Sequence, residues 1–231
     1  MREPVGGDED AGELRLILAR HGQTRANVDH LLDTRLPGPG LTALGREQAA
    51  ALARELAAGD EGVVDAVYHS RARRAGETAR IVAAELGLAS VAVDGVHEVQ
   101  VGDLEGLGDD RSIAVFRSVF DAWQLGDLDR AHPGGESGRD LLARYLPAVE
   151  HLVARHRAGG TVVLVSHGAA LRLAAEVLAA GVGTPGPEED HVNNAGRVVL
   201  RRRTDDPGPW VLEAWRNDVP GGLPSSRDAT G

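Results

Sequence analysis

Two stretches of this chain are almost continuously apolar instead of alternating. Leu14 to Ala19 reads Leu-Arg-Leu-Ile-Leu-Ala, and Thr161 to Ser166 reads Thr-Val-Val-Leu-Val-Ser. A strand with one solvated face alternates apolar and polar residues; a run apolar on both faces belongs in a sheet covered on both sides. Such a sheet needs helices between its strands, and the chain supplies them. Thr42 predicts the N-cap of an alanine-rich helix reaching Ala58, with Gly59 as its stop. Asp65 to His69 reads as a strand, Ala72 to Leu86 as a helix ended by Gly87, and Val91 to Val93 as a short strand. Ser112 to Gln124 and Ser137 to Arg155 read as helices, the second bent at Pro147. Ala169 to Ala180 reads as another helix, and Arg197 to Arg202 with Trp210 to Trp215 as a late hairpin. The expected fold is α/β, a mostly parallel central sheet with helices on both faces. No Pro/Gly/Ser-rich linker divides the 231 residues, so residues 13–217 read as a single domain. The acidic, glycine-rich lead at 1–12 and the tail at 218–231 are expected to be disordered.

Composition removes several classes of function. The chain has no cysteine, which excludes disulfides, thiolate metal sites and cysteine nucleophiles. A net charge of −10 argues against nucleic acid as a partner. No apolar run approaches the roughly 18 residues of a membrane span, and no charged-then-apolar leader opens the chain. No membrane partner is therefore expected, and the protein should be soluble and cytoplasmic. Every basic residue other than histidine is an arginine. Any phosphate clamp must then be built from Arg, His and backbone N–H groups, and Arg grips phosphate in bidentate fashion.

In an open α/β sheet, ligands bind beyond the carboxyl ends of the strands. Both apolar runs end there in the same way: the first leads into Arg20-His21-Gly22 and the second into His167-Gly168. Each Gly lets the backbone turn close to a ligand, with its N–H groups toward a bound anion. The strand ending at His69 leads through Ser70 into Arg71, Arg73 and Arg74 at a helix start. Cations there oppose the helix dipole and call for a compensating anion, such as phosphate. After the short third strand comes Glu98, then Gly102-Asp103-Leu104-Glu105-Gly106. A carboxyl group held partly out of water can protonate a leaving oxygen. His69 and His97 adjoin these motifs and are candidate pocket residues. His151 and His156 lack the spacing of a helical metal pair and read as surface residues.

Arg20-His21-Gly22-Gln23-Thr24 with Asn27 resembles the signature of the histidine phosphatase superfamily, which includes the phosphoglycerate mutases. Ser70 to Ala79, Glu98 with Gly102 to Gly106, Gly134-Gly135-Glu136-Ser137 and Ser166-His167-Gly168 resemble its further motifs, in family order, over roughly residues 14–200. The resemblance implies a phosphoglycerate mutase-like fold. It implies His21 as nucleophile, Arg20, Arg74 and His167 as phosphoryl ligands, and Glu98 as general acid and base. It also implies Gln23, Thr24, Asn27 and Gly168 as phosphate or substrate contacts, with no metal and no cofactor. The chain departs from the pattern at Arg71-Ala72, where Pro-Leu is usual, at Glu77 for Gln, and at Leu104 for Trp.

Three functions fit this reading. The first is a phosphatase acting on a small phosphorylated metabolite. The second is a mutase, which would need a longer, basic insertion where this chain has only 27 residues, 107–133, acidic on balance, between Gly106 and Gly134. The third, a non-catalytic phospho-ligand binding protein, is disfavoured because the whole set His21, Arg20, Arg74, Glu98 and His167 is present. Neither the substrate nor the oligomeric state is written in the sequence.

Overall fold

The structure, a computed structural model, describes residues 12–156, 158–179, 192–204 and 208–218. The lead and tail expected to be disordered lie outside these residues except for Gly12 and Asp218, as does His191. One six-stranded sheet forms the centre, from β1 (Glu13–Arg20), β2 (Val64–Ser70), β3 (Ser90–Val93), β4 (Gly160–Ser166), β5 (Arg197–Arg203) and β6 (Val211–Arg216). Its order is β3-β2-β4-β1-β5-β6. The first four strands are mutually parallel, and β5 and β6 add an antiparallel edge.

The continuous apolar runs face two cores at once. Leu16 and Leu18 of β1 and Val162 and Leu164 of β4 point into one. There they meet α4 (Asp110–Gln124), α5 (Gly138–Val153) and α6 (Gly168–Leu178), through residues such as Phe116, Tyr145 and Leu171. Ile17 and Ala19 of β1 and Val163 and Val165 of β4 point the other way, onto α2 (Ala43–Ala58) and α3 (Arg73–Glu85). Both strands are thus buried on each face, which is why neither alternates.

The helix signals hold closely. The Thr42 hydroxyl accepts the Gly45 amide at 2.9 Å, and Gly59 closes α2 in the left-handed region at φ 81°. Helix α5 runs through Pro147 to Val153. The sequence reading lacks α1 (Arg25–Val28) and the 3₁₀ turn Gly102–Leu104, both too short to carry a helical period. Trp123 and Trp210 are core residues, and so is Leu104. His156 is half-buried instead of surface, its Nε2 3.1 Å from the Tyr68 hydroxyl.

The loop after β1 lies directly on the start of α2. A Cβ on Gly22 would stand 2.2 Å from the Gly45 carbonyl oxygen, and one on Gly45 would stand 2.1 Å from that of Gln23. Both obstacles are backbone and cannot rotate away. Gly45→Ala should therefore cost about 1–3 kcal/mol in urea unfolding, the usual range for overpacking, and lower turnover by displacing the neighbour of His21. Unchanged stability and turnover would show that the close approach is dispensable.

Candidate active site

The parallel pairing of β1 with β4 sets Arg20 opposite Ser166. Their next residues, His21 and His167, therefore leave the sheet side by side. The His21 amide donates to the Ser166 carbonyl at 3.1 Å, and the two imidazoles meet edge to face with centroids 5.3 Å apart. His21 Nδ1 lies 2.8 Å from the Gly22 carbonyl oxygen. A carbonyl only accepts, so Nδ1 carries the proton and Nε2 keeps its lone pair. Arg74 Nε donates to that Nε2 at 3.0 Å. Burial, with Arg74 and Arg20 nearby, holds His21 well below the usual imidazole range, so it is neutral and nucleophilic.

Arg74 stands on the first turn of α3. It donates Nη2 to the Asp33 carbonyl at 3.0 Å and Nη1 to the Asp33 carboxylate at 3.2 Å. Arg71 and Arg73, expected beside it as anion ligands, belong instead to the surface. Arg71 pairs with Asp94, and Arg73 pairs with Glu77 one helical turn on. Glu77 in turn accepts the Leu41 amide at 2.9 Å. Only one of the three arginines reaches the site, because only Arg74 lies on the buried side of α3. Arg20 is fully buried and donates to the Val192 carbonyl at 2.9 Å. His167 is the N-cap residue of α6, its Nε2 2.8 Å from the Ser70 hydroxyl. Burial, with Arg74 as the next cause, keeps it neutral.

Glu98 is buried at the start of α6, accepting the Ala170 and Val99 amides at 2.9 Å and the Ala169 amide at 3.3 Å. Those amides and the nearby arginines favour the anion, yet burial outweighs them and pushes its carboxyl above the ordinary range. A buried carboxyl that holds its proton more strongly than usual fits a proton donor. Glu105 serves the backbone instead. It accepts the Thr34 amide at 3.0 Å, the Thr34 hydroxyl and the Arg35 amide, and so fixes the 33–35 loop. The Gly-Gly-Glu-Ser element supports the backbone around Glu98. Glu136 accepts the Gln100 amide and pairs with Arg144, which donates to the Glu98 carbonyl at 2.9 Å. Ser137 caps α5.

The remaining expected contacts lie beside this centre, with side chains already engaged. Thr24 and Asn27 form the reciprocal capping box of α1. Gln23 Oε1 accepts the Thr42 hydroxyl at 3.0 Å. The Gly22 and Gln23 amides, expected to face an anion, donate instead to Thr78 Oγ1 and Gln48 Oε1. Their acceptors sit on α3 and α2, which pack directly on the turn. Gly168 opens α6, in the turn whose amides lack intrahelical acceptors. His69 is turned to its neighbour, with Nδ1 2.7 Å from the Ser70 carbonyl. His97 is half-buried next to Glu98. Sequence reasoning missed Asp33, Ser70 as partner of His167, and Asn194, whose side-chain amide donates to the His21 carbonyl at 3.1 Å. None of the three lies at a recurring spacing that marks it.

A neutral histidine lone pair among arginines, at the carboxyl ends of a parallel sheet, defines an enzyme that handles phosphoryl groups. Residues 16–218 match the family model described as the histidine phosphatase superfamily (branch 1), and the chain belongs to that superfamily. The 2,3-bisphosphoglycerate-dependent phosphoglycerate mutase of Methylobacterium sp. (strain 4-46) is 36% identical over 172 residues, covering 72% of this chain and 81% of that protein. Among solved structures, a mycobacterial glucosyl-3-phosphoglycerate phosphatase superposes with a TM-score of 0.72 at 29% identity, covering 89% of this chain and 100% of that one. The alpha-ribazole phosphatase of Shigella flexneri gives a TM-score of 0.65 at 28% identity, covering 88% and 96%. Among the described residues, no helix is long and apolar enough to cross a membrane.

The buried titratable groups set opposite pH dependences on stability. His21 and His167 are held below the free value of 6.5, and His132, stacked on Phe116 and close to Trp123, is pushed down to about 4. Their contribution is complete above 6.5 and is lost as pH falls below it, because the unfolded chain then binds more protons. Glu98 acts the other way: its contribution is complete below its free value of 4.5 and is lost as pH rises toward its elevated folded value. Urea titrations should therefore show stability falling from pH 6.5 toward 4, with a shallower fall in His132→Phe. A wild type whose stability is flat across that window would contradict neutral burial of these rings.

Proposed function

We propose that this protein is a metal-independent phosphatase that hydrolyses a small phosphorylated metabolite through a phosphohistidine on His21. The observation that carries the chemistry is the His21 Nε2 lone pair, fixed by the Nδ1 contact to Gly22 and set against Arg74. Nε2 attacks phosphorus while the ester P–O bond breaks. Glu98 gives its proton to the leaving oxygen, so the alcohol departs neutral. Arg20, Arg74 and His167 hold the phosphoryl oxygens, and the arginines supply the positive charge that a metal supplies in other phosphoryl-transfer sites. In the second step the Glu98 carboxylate takes a proton from water as the water oxygen attacks phosphorus. The P–N bond breaks, and inorganic phosphate and neutral His21 are restored. Gln23, Thr24, Asn27 and Gly168 border the oxyanion side in this reading.

Hydrolysis is favoured over a mutase by the segment between Gly106 and Gly134. It folds mainly as α4, whose buried side, Phe116, Val119, Phe120 and Trp123, belongs to the core. That makes it a wall of the domain, without the longer basic cover that would bind a substrate carboxylate and exclude water from the intermediate. The phosphatases among the similar structures support the same choice.

Three outcomes are expected. Alkaline quenching during turnover of a labelled ester should trap phosphate on His21, most label should pass to water even when 2- or 3-phosphoglycerate is offered as acceptor, and His21→Ala should abolish both. Predominant transfer to the acceptor would make the protein a mutase. Activity should survive EDTA; complete loss restored by a divalent ion would contradict the arginine account. Glu98→Gln should slow single-turnover phosphorylation by an alkyl ester about 10²–10⁴-fold and by a nitrophenyl ester much less, because the aryl oxide leaves without a proton. If Glu105→Gln showed that pattern instead, the acid would be Glu105.

A further inference from the structure

The groups nearest His21 differ sharply in access to solvent. The side chain of Arg74 is 3% exposed, whereas that of Asp33, in direct contact with it, is 22% exposed. His21, Arg20, Glu98 and His167 are all buried. Asp33 is therefore a charged group with access to solvent, one guanidinium away from the nucleophile. Its carboxylate takes Nη1 of Arg74 while Nε faces His21. The loop holding it is fixed, since Glu105 accepts the amides of Thr34 and Arg35, and Gln100 donates to the Thr34 carbonyl at 3.1 Å. Glu105 adds a second carboxylate within electrostatic reach of Asp33. A phosphoryl group on His21 Nε2 would thus meet the Arg74 guanidinium, and that same guanidinium holds the partly exposed Asp33 carboxylate.

From this geometry, and resting on the phosphatase reading above, we infer that Asp33 is a specificity-determining residue. It selects phosphomonoesters whose alcohol portion carries hydroxyl groups over those that carry a second anion. A carboxylate accepts hydrogen bonds from hydroxyls but repels a carboxylate or second phosphate brought beside it. The exposed arginine beside Arg74 on α3, Arg73, is already paired with Glu77. Arg35 has an exposed side chain on the same loop as Asp33, and it is the group that would reverse the selection if it anchored an anion.

The test compares glycerol phosphate with 3-phosphoglycerate, which share a carbon skeleton and differ in a terminal CH₂OH against a carboxylate. The wild type should turn over glycerol phosphate with a kcat/KM higher by about tenfold or more, the scale expected for like charges a few ångströms apart. Asp33→Asn should bring the ratio toward one, and Asp33→Glu should keep it. Turnover of p-nitrophenyl phosphate by each variant reports that the site is assembled, and only the ratio between the two alkyl esters is read. A wild type that prefers 3-phosphoglycerate and loses the preference in Arg35→Ala would overturn the inference, as would a ratio unchanged in Asp33→Asn. Either result, with phosphohistidine still trapped from p-nitrophenyl phosphate, leaves the phosphatase reading standing. If no ester labels His21, both fall.

Discussion

Everything in the site depends on the register of β1 against β4. The pairing of Arg20 with Ser166 places two histidines from sequence-distant segments at the same height on adjacent strands. Shifting either strand by one residue would send its apolar set to the wrong face and its histidine away from the site. The two-sided core prevents such a slip. Leu16 and Leu18 have one destination and Ile17 and Ala19 the other, so the packing that stabilises the sheet also fixes the distance between the rings.

Burial then sets the chemistry. The same loss of water lowers the proton affinity of His21 and His167 and raises that of Glu98. One environment thereby shifts the two groups in opposite directions, favouring the neutral imidazole and the neutral carboxyl. The stability cost runs in opposite directions of pH, for the histidines as it falls below 6.5 and for Glu98 as it rises above 4.5.

The fold was legible in the sequence where a repeating physical demand wrote it. Doubly buried strands and the Thr42 and Gly59 helix boundaries are examples. The antiparallel edge made by β5 and β6 showed only as a late hairpin, because a strand next to the centre is apolar in either direction. The centre of the site was legible because each group follows a strand or opens a helix. Its supports were not. Asp33, Ser70 and Asn194 act through contacts spanning 41, 97 and 173 residues, and no local pattern encodes those distances. The arginine cluster after β2 was legible as a cluster, but helical geometry decides that Arg74 turns inward while Arg71 and Arg73 find acidic partners outside.

A chain with a net charge of −10 must still attract an anion, and the partners of its buried arginines explain how. Arg197 is buried against two carboxylates, Glu55 and Glu61, and its charge is consumed by the fold. Arg74 is held differently: one donor goes to a carbonyl, one to a neutral imidazole, and one to a carboxylate at 3.2 Å. Carbonyl and imidazole orient a guanidinium without cancelling its charge, so much of its field stays directed at His21. In a site closed to water that field is screened weakly. The difference between Arg197 and Arg74 is therefore carried by the partners that orient each guanidinium.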